Sequence, residues 1–228
     1  RLESGSVPAG PDPAAALGLA EEVLRELEAA RSRYEALRPA AEVDWAIHNA
    51  RIVRQCMSSR VDGGDSRDRS MAANVAWLTE RYPGEKIVLW AHNGHIGRFP
   101  GMMGSYLGER FGQDYLPVGF AARSGRYTAS GGGGLGTHDL REAPWPSVEA
   151  HLHALGEPGL ILDARPATAG SEESGWLAEP RMLRSIGAVA MDFQFQPTVV
   201  RDVFDLLVYV DSTTPAVQLD TVRPKPRG

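Results

Sequence analysis

The run Lys86-Ile87-Val88-Leu89-Trp90-Ala91-His92-Asn93-Gly94-His95-Ile96-Gly97-Arg98 constrains the fold more than any other stretch of this chain. Its first half is short, apolar and rich in β-formers, which predicts a buried strand over residues 86–91. Its second half turns abruptly polar and titratable. Open α/β sheets bind their ligands just outside the carboxyl ends of the strands, so a strand that delivers two histidines and an asparagine there predicts a site. Histidine changes charge near neutral pH more readily than any other side chain, which makes His92 and His95 candidates for proton transfer.

The flanking sequence predicts the rest of an α/β chain. Residues 1–13, broken by Gly5, Pro8, Gly10, Pro11 and Pro13, read as a flexible lead-in. From Asp12 or its neighbour a long helix follows, with Leu17, Ala20, Leu24, Leu27, Ala30, Tyr34 and Leu37 on one stripe, ended by Arg38-Pro39. A second helix places Val43, Ile47, Ala50, Val53 and Met57 on one face and leaves His48, Asn49 and Arg51 off it. Together these form a helical hairpin over residues 14–60, a lid or flank to a cleft. The α/β portion is expected over residues 61–215. It comprises a helix at 67–81 burying Met71, Val75 and Leu78, the strand at 86–91, and a helix at 102–111. Strands follow at 116–123 and 125–130, then a helix at 146–155, a strand at 159–163 and a closing strand at 205–211. The four glycines Gly131 to Gly134 suggest a surface loop, since no Gly-Lys-Ser/Thr follows to cradle a phosphate. Residues 164–182 read as an irregular flap, and residues 216–228 as a disordered tail. The expected fold class is α/β, with a parallel or mixed sheet flanked by helices and an N-terminal helical hairpin.

Composition narrows the partners. A net charge of −5 argues against nucleic acid, whose phosphates need clustered excess base. No apolar run reaches the length of a membrane span, and the cytoplasm is the expected compartment. The single cysteine, Cys56, excludes an intramolecular disulfide and reads as a structural thiol within the second helix.

The pair His92 and His95 could hold a metal. Zinc wants three or four ligands, however, and no other histidine falls at ligand spacing; His151 and His153, at i and i+2 on one helix, cannot face each other. No metal and no cofactor are therefore expected. No Gly-x-Ser-x-Gly elbow offers a nucleophilic serine, and His138, after the glycine run, is expected to be exposed.

The Trp90-Ala91-His92-Asn93-Gly94-His95 segment resembles the Trp-Ala-His-Asn-x-His segment of the erythromycin esterase family. Upstream, Arg67-Asp68-Arg69-Ser70-Met71-Ala72-Ala73-Asn74-Val75-Ala76-Trp77-Leu78 is similar to that family's preceding helix. Leu160-Ile161-Leu162-Asp163 and Phe204-Asp205-Leu206-Leu207-Val208-Tyr209-Val210-Asp211 resemble its later strands, so the likeness runs over residues 40–215. It implies metal-independent attack of water on a macrolactone or another small-molecule ester. His92 and His95 would act as acid, base or oxyanion groups, and Arg67 would join them. Asn93 and Asp68 would orient an imidazole, Arg98 would meet developing negative charge, and Trp90 would line the pocket. The family's Gly-Glu-x-x-His-Gly segment, whose histidine is thought to activate water, does not occur here. The chain begins at Arg1 and reads as the C-terminal half of a larger fold, with its N-terminal half absent or on a separate chain. Two rival readings are a secondary-metabolite tailoring enzyme working by elimination or cyclisation, and a non-catalytic binding or partner subunit.

Overall fold

A computed structural model describes residues 12–62 and 65–217. Most of the expected lead-in and tail, and Gly63-Gly64, lie outside the described residues. The chain divides into two compact units.

The first unit takes in Arg1–Val88 and Pro100–Arg110. Helix α1 (Pro13–Ala29) starts where Asp12 accepts from the amides of Ala14 and Ala15, with proline at the first helical position. The backbone breaks at Ala30, so the single long helix expected from the stripe is two pieces, α1 and α2 (Arg31–Glu35). Helix α3 (Ala40–Val61) returns along α1, and Leu24, Val43 and Ile47 form their shared core with Leu27, Tyr34 and Ala50 packed around it. Burying each of those three large side chains stabilises the pair by about 1.5–3 kcal/mol. The α3 stripe differs from expectation. Val53 is exposed and His48 is buried, because the second contact face of α3 meets α4 (Asp65–Arg81) rather than solvent. Cys56 is exposed, which corrects its reading as a packed thiol. Helix α4 turns Asp68, Ala72 and Ala76 inward, while Met71, Val75 and Leu78 are only half-buried.

The second unit takes in Leu89–Phe99 and Phe111–Gly228. After the short helix α5 (Asn93–Ile96) the chain passes through helix α6 (Met103–Phe111), which lies in the first unit but for its last residue. Strand β1 (Val118–Gly131) then runs on where two separate strands were expected. Gly125 is the reason. Its φ of +105° bends the strand, and a Cβ there would lie 2.1 Å from the Thr213 carbonyl oxygen. Before Gly125, β1 pairs in parallel with β6 (Leu206–Thr213); after it, β1 pairs antiparallel with β2 (Gly134–Asp139). The glycine run is the two-residue turn of this hairpin, at Gly132-Gly133, with Gly134 at φ +94°. Strand β3 (Gly159–Asp163) pairs antiparallel with β6, giving a mixed sheet ordered β2-β1-β6-β3. Helix α7 (Val148–His153), capped by Ser147, seals Val148 and Leu152 beneath this sheet, where Leu207 and Tyr209 alternate inward. A second ladder joins β4 (Arg181–Arg184), which begins at the very end of the expected irregular region, to β5 (Phe195–Thr198). The short helix α8 (Val200–Val203) leads into β6.

Residues 86–91 form no strand. A strand exists only with a ladder partner, and among the described residues none pairs with this segment. Val88 and Trp90 are 89% and 87% exposed, so the expected burial of this run is also absent.

A candidate active-site turn

The histidine turn belongs to the second unit and is fastened at each end. Asn93 holds its start. Its side-chain amide donates to the Phe120 carbonyl at 2.6 Å, and its Oδ1 accepts from the Phe120 N–H at 3.0 Å. It thus pairs with β1 as a neighbouring strand would. At the other end Tyr115 donates through its hydroxyl to the Ile96 carbonyl at 2.5 Å, and the Arg98 amide donates to the Val203 carbonyl at 3.0 Å. Burial pushes the Tyr115 hydroxyl up to about 12, so it stays a donor across the physiological range.

His92 caps α5, and both of its ring nitrogens have partners. Nδ1 accepts from the Gly94 N–H at 3.1 Å, and Nε2 meets the Ile186 carbonyl. A carbonyl can only accept, so these two bonds together require the neutral tautomer with its proton on Nε2. A Cβ at Gly94 would sit 3.1 Å from His92 Nδ1, so a side chain there would press on the imidazole. The His95 ring is half-buried, 6.4 Å from that of His92 and nearly perpendicular to it.

Arg98 donates to both carboxylate oxygens of Asp205, at 3.0 and 2.8 Å, and to the Tyr115 carbonyl at 3.1 Å. This bidentate bond ties the turn to the entry of β6. Trp90 lies 5.7 Å from the Phe120 ring and is otherwise exposed. The unit's other histidines are anchored elsewhere: His138 on the Ala129 carbonyl, His151 on the Ser147 carbonyl, and His153 on Asp211.

Arg67 and Asp68 belong to the first unit. Asp68 is buried, and its Oδ1 accepts from the Met103 N–H at 2.9 Å, capping α6 from a different helix. Arg67 is exposed at the start of α4. No group of three or more His, Cys, Asp or Glu among the described residues is arranged to hold a metal ion, and no described helix is long and apolar enough to cross a membrane.

Sequence reasoning missed the residues that hold His92. Ile186 contributes a backbone carbonyl, which leaves no trace in side-chain identity. It also missed a polar face in the first unit, made by His48, Arg51 and Gln55 on α3 with Asn74 and Trp77 on α4. Their spacing of three and four was a legible signal, since it forms a second stripe beside the apolar one.

Fold and turn together define an α/β protein with a rigid histidine-bearing turn beside a mixed sheet. The chain belongs to the erythromycin esterase family, which it matches over residues 10–213. It is 26% identical over 164 residues to the Bacillus subtilis (strain 168) protein YbfO, whose name suggests a hydrolase; the match covers 66% of this chain and 35% of that protein. Among solved structures, a protein of Bacillus cereus is similar with a TM-score of 0.76 and 23% identity, over 88% of this chain and 52% of that one. A succinoglycan biosynthesis protein gives 0.73 and 22%, over 89% and 51%. An erythromycin esterase mutant in its open conformation gives 0.58 and 17%, over 90% and 54%. These likenesses establish the fold. The chain spans about half the length of those solved chains, and a smaller part of the Bacillus subtilis protein.

Proposed function

We propose that this chain supplies part of the active site of an ester hydrolase, acting on a macrolactone or another small-molecule ester. Hydrolysis there needs a base to take a proton from water as its oxygen bonds the carbonyl carbon. It needs donors for the oxyanion, and an acid to protonate the alkoxide when the acyl–oxygen bond breaks. The observation that carries the reading is the way both nitrogens of His92 are taken up by Gly94 and Ile186. On this reading the His92 ring positions the turn, and His95, presented one turn on, carries the proton transfer. Arg98, bound to Asp205, keeps the turn in place. The main general base comes from a complementing N-terminal half, on the same or a separate chain. Support for that half is the exposed, ladderless segment around Trp90 and the longer span of the similar proteins.

The test is ester turnover by the complete protein with single substitutions. His95→Ala is expected to lower kcat/KM by about 10²–10⁴ with stability retained, the range for loss of a general acid or base. His92→Ala should lower activity less and stability more. Full activity in His95→Ala would overturn the assignment. Binding without turnover in the unmodified protein would favour a non-catalytic subunit, and a dehydrated or cyclised product would favour a tailoring enzyme.

A further inference from the structure

Arg184 ends β4 with a side chain that is 4% exposed, and its guanidinium reaches four acceptors. Nε donates to the Ala122 carbonyl at 2.8 Å, Nη2 to the Arg123 and Arg141 carbonyls at 2.7 Å each, and Nη1 to Gln194 Oε1. The Phe195 ring, opposite it in the β4–β5 ladder, covers it from 4.4 Å. All four acceptors are amide oxygens, so these bonds pair no carboxylate. They tie β1, the segment after β2 and the far end of the β4–β5 connection to one point. Burying a guanidinium is costly unless its donors are met, and its rigid fork then fixes the backbone it binds.

What it fixes is the path of residues 185–194. The Ser185 amide donates to the Gln194 carbonyl at 2.8 Å and closes the base of this loop. Gln194 is itself buried, with Oε1 also accepting from the Arg141 N–H at 3.0 Å and Nε2 donating to the Asp139 carbonyl at 3.2 Å. Farther on, the Ala188 carbonyl accepts from the Ser130 amide and the Ala190 amide donates to the Ser130 carbonyl, both at 2.8 Å. Between these two fastenings lie Ile186 and Gly187, the pair that meets His92. The Ile186 carbonyl takes the Nε2 proton, and a Cβ on Gly187 would lie 3.5 Å from the same nitrogen. A hydrogen bond weakens steeply with angle, so this one is only as definite as the path of the loop.

We propose that Arg184 is a positioning residue for the histidine turn. By fixing the loop on its β4 side, it sets the Ile186 carbonyl against His92 Nε2 and so holds that ring in one tautomer and one orientation. Its bearing on catalysis rests on the hydrolase reading; its action on the ring does not.

The test reads the His92 ring directly. In the chain carrying isotope-labelled histidine, with the His92 signal identified by its loss in His92→Gln, NMR follows exchange of the Nε2 proton with water. Arg184→Met keeps an apolar stem and removes all five donors. Exchange roughly tenfold faster than in the unsubstituted chain is expected, the value of about one hydrogen bond. The control is the unsubstituted chain in urea sufficient to match the stability of the variant, where exchange should stay slow. Unchanged exchange in Arg184→Met would overturn the proposal. So would equal acceleration by urea, which would mark general loosening, or exchange in the unsubstituted chain as fast as in free imidazole. Should Arg184→Met fail to fold, Arg184→Lys keeps the charge but loses the fork, and unchanged exchange there would overturn the proposal equally. Ester turnover by the complete protein is measured separately; its absence would sink the hydrolase reading and leave the ring result standing.

Discussion

Asn93 substitutes a side chain for a strand. Its amide makes the donor–acceptor pair that a neighbouring backbone would offer Phe120, and so sets the start of the turn that carries His92 and His95. Asn93→Leu is expected to lower stability by about 0.5–1.5 kcal/mol, the net worth of a hydrogen bond where water can replace the lost partner. Asn93→Asp should cost at least as much, since it faces a carbonyl oxygen with another acceptor. Urea unfolding midpoints measure both, and an unchanged midpoint would show that the amide does not hold the turn. The composition of the turn was legible in the sequence, because two histidines and an asparagine after an apolar run are seldom arranged so by chance. The division between them was not. It depends on the Ile186 carbonyl and on the Gly94 amide, and backbone groups are common to every residue. Arg98 shows the same limit, since its commitment to Asp205 spans a long stretch of sequence.

Among the elements, the long helices α1, α3 and α4 were legible because apolar periodicity repeats over several turns and Asp12, Pro39 and Pro83 punctuate it. Strands β2, β4 and β5 were missed. They are short, and residues such as Gly134, Gly136, Thr137 and His138 carry no apolar alternation. Gly125 misled in the opposite direction, reading as a strand end when it is a bend at which β1 exchanges β6 for β2. Gly125→Ala is expected to cost more than about 3 kcal/mol, since it adds backbone strain to a collision with Thr213. Gly132→Ala, whose added Cβ would meet nothing within 4 Å, should stay within about 1 kcal/mol of the parent. Thermal unfolding of the two variants compares them directly, and equal losses would remove the special role given to Gly125.

At the scale of the whole molecule, stability should depend on pH through Glu149. Its side chain is buried, with Oε1 accepting from the Arg184 N–H at 2.8 Å and Oε2 unpartnered. Burial pushes its pKa up, against the opposing pull of the Arg184 amide and guanidinium. The folded protein therefore holds this proton to a higher pH than the unfolded chain does. Its stabilising effect is complete below the unfolded carboxyl pKa and is lost as pH rises through the raised folded value. Glu149→Gln should accordingly gain stability relative to the parent as pH rises from 4 toward 8, in urea midpoints taken across that range. A constant difference would refute the ionisation. Asp211 works in the other direction: Tyr209 and His153 lower its pKa, so its contribution fades as pH falls.

The exchange of partners along β1 also orders events in time. Its distal half meets β2 across a two-residue turn, whereas its proximal half waits for Leu206–Thr213 near the far end of the chain. On a ribosome adding roughly 5–20 residues per second, the hairpin can close within microseconds of emerging. The edge from Val118 to Gly125 then stays open for several seconds until β6 is made. For that interval the nascent chain presents the edge that β6 will cover, while Asn93, already synthesised, can pair Phe120 only on the opposite edge of the strand.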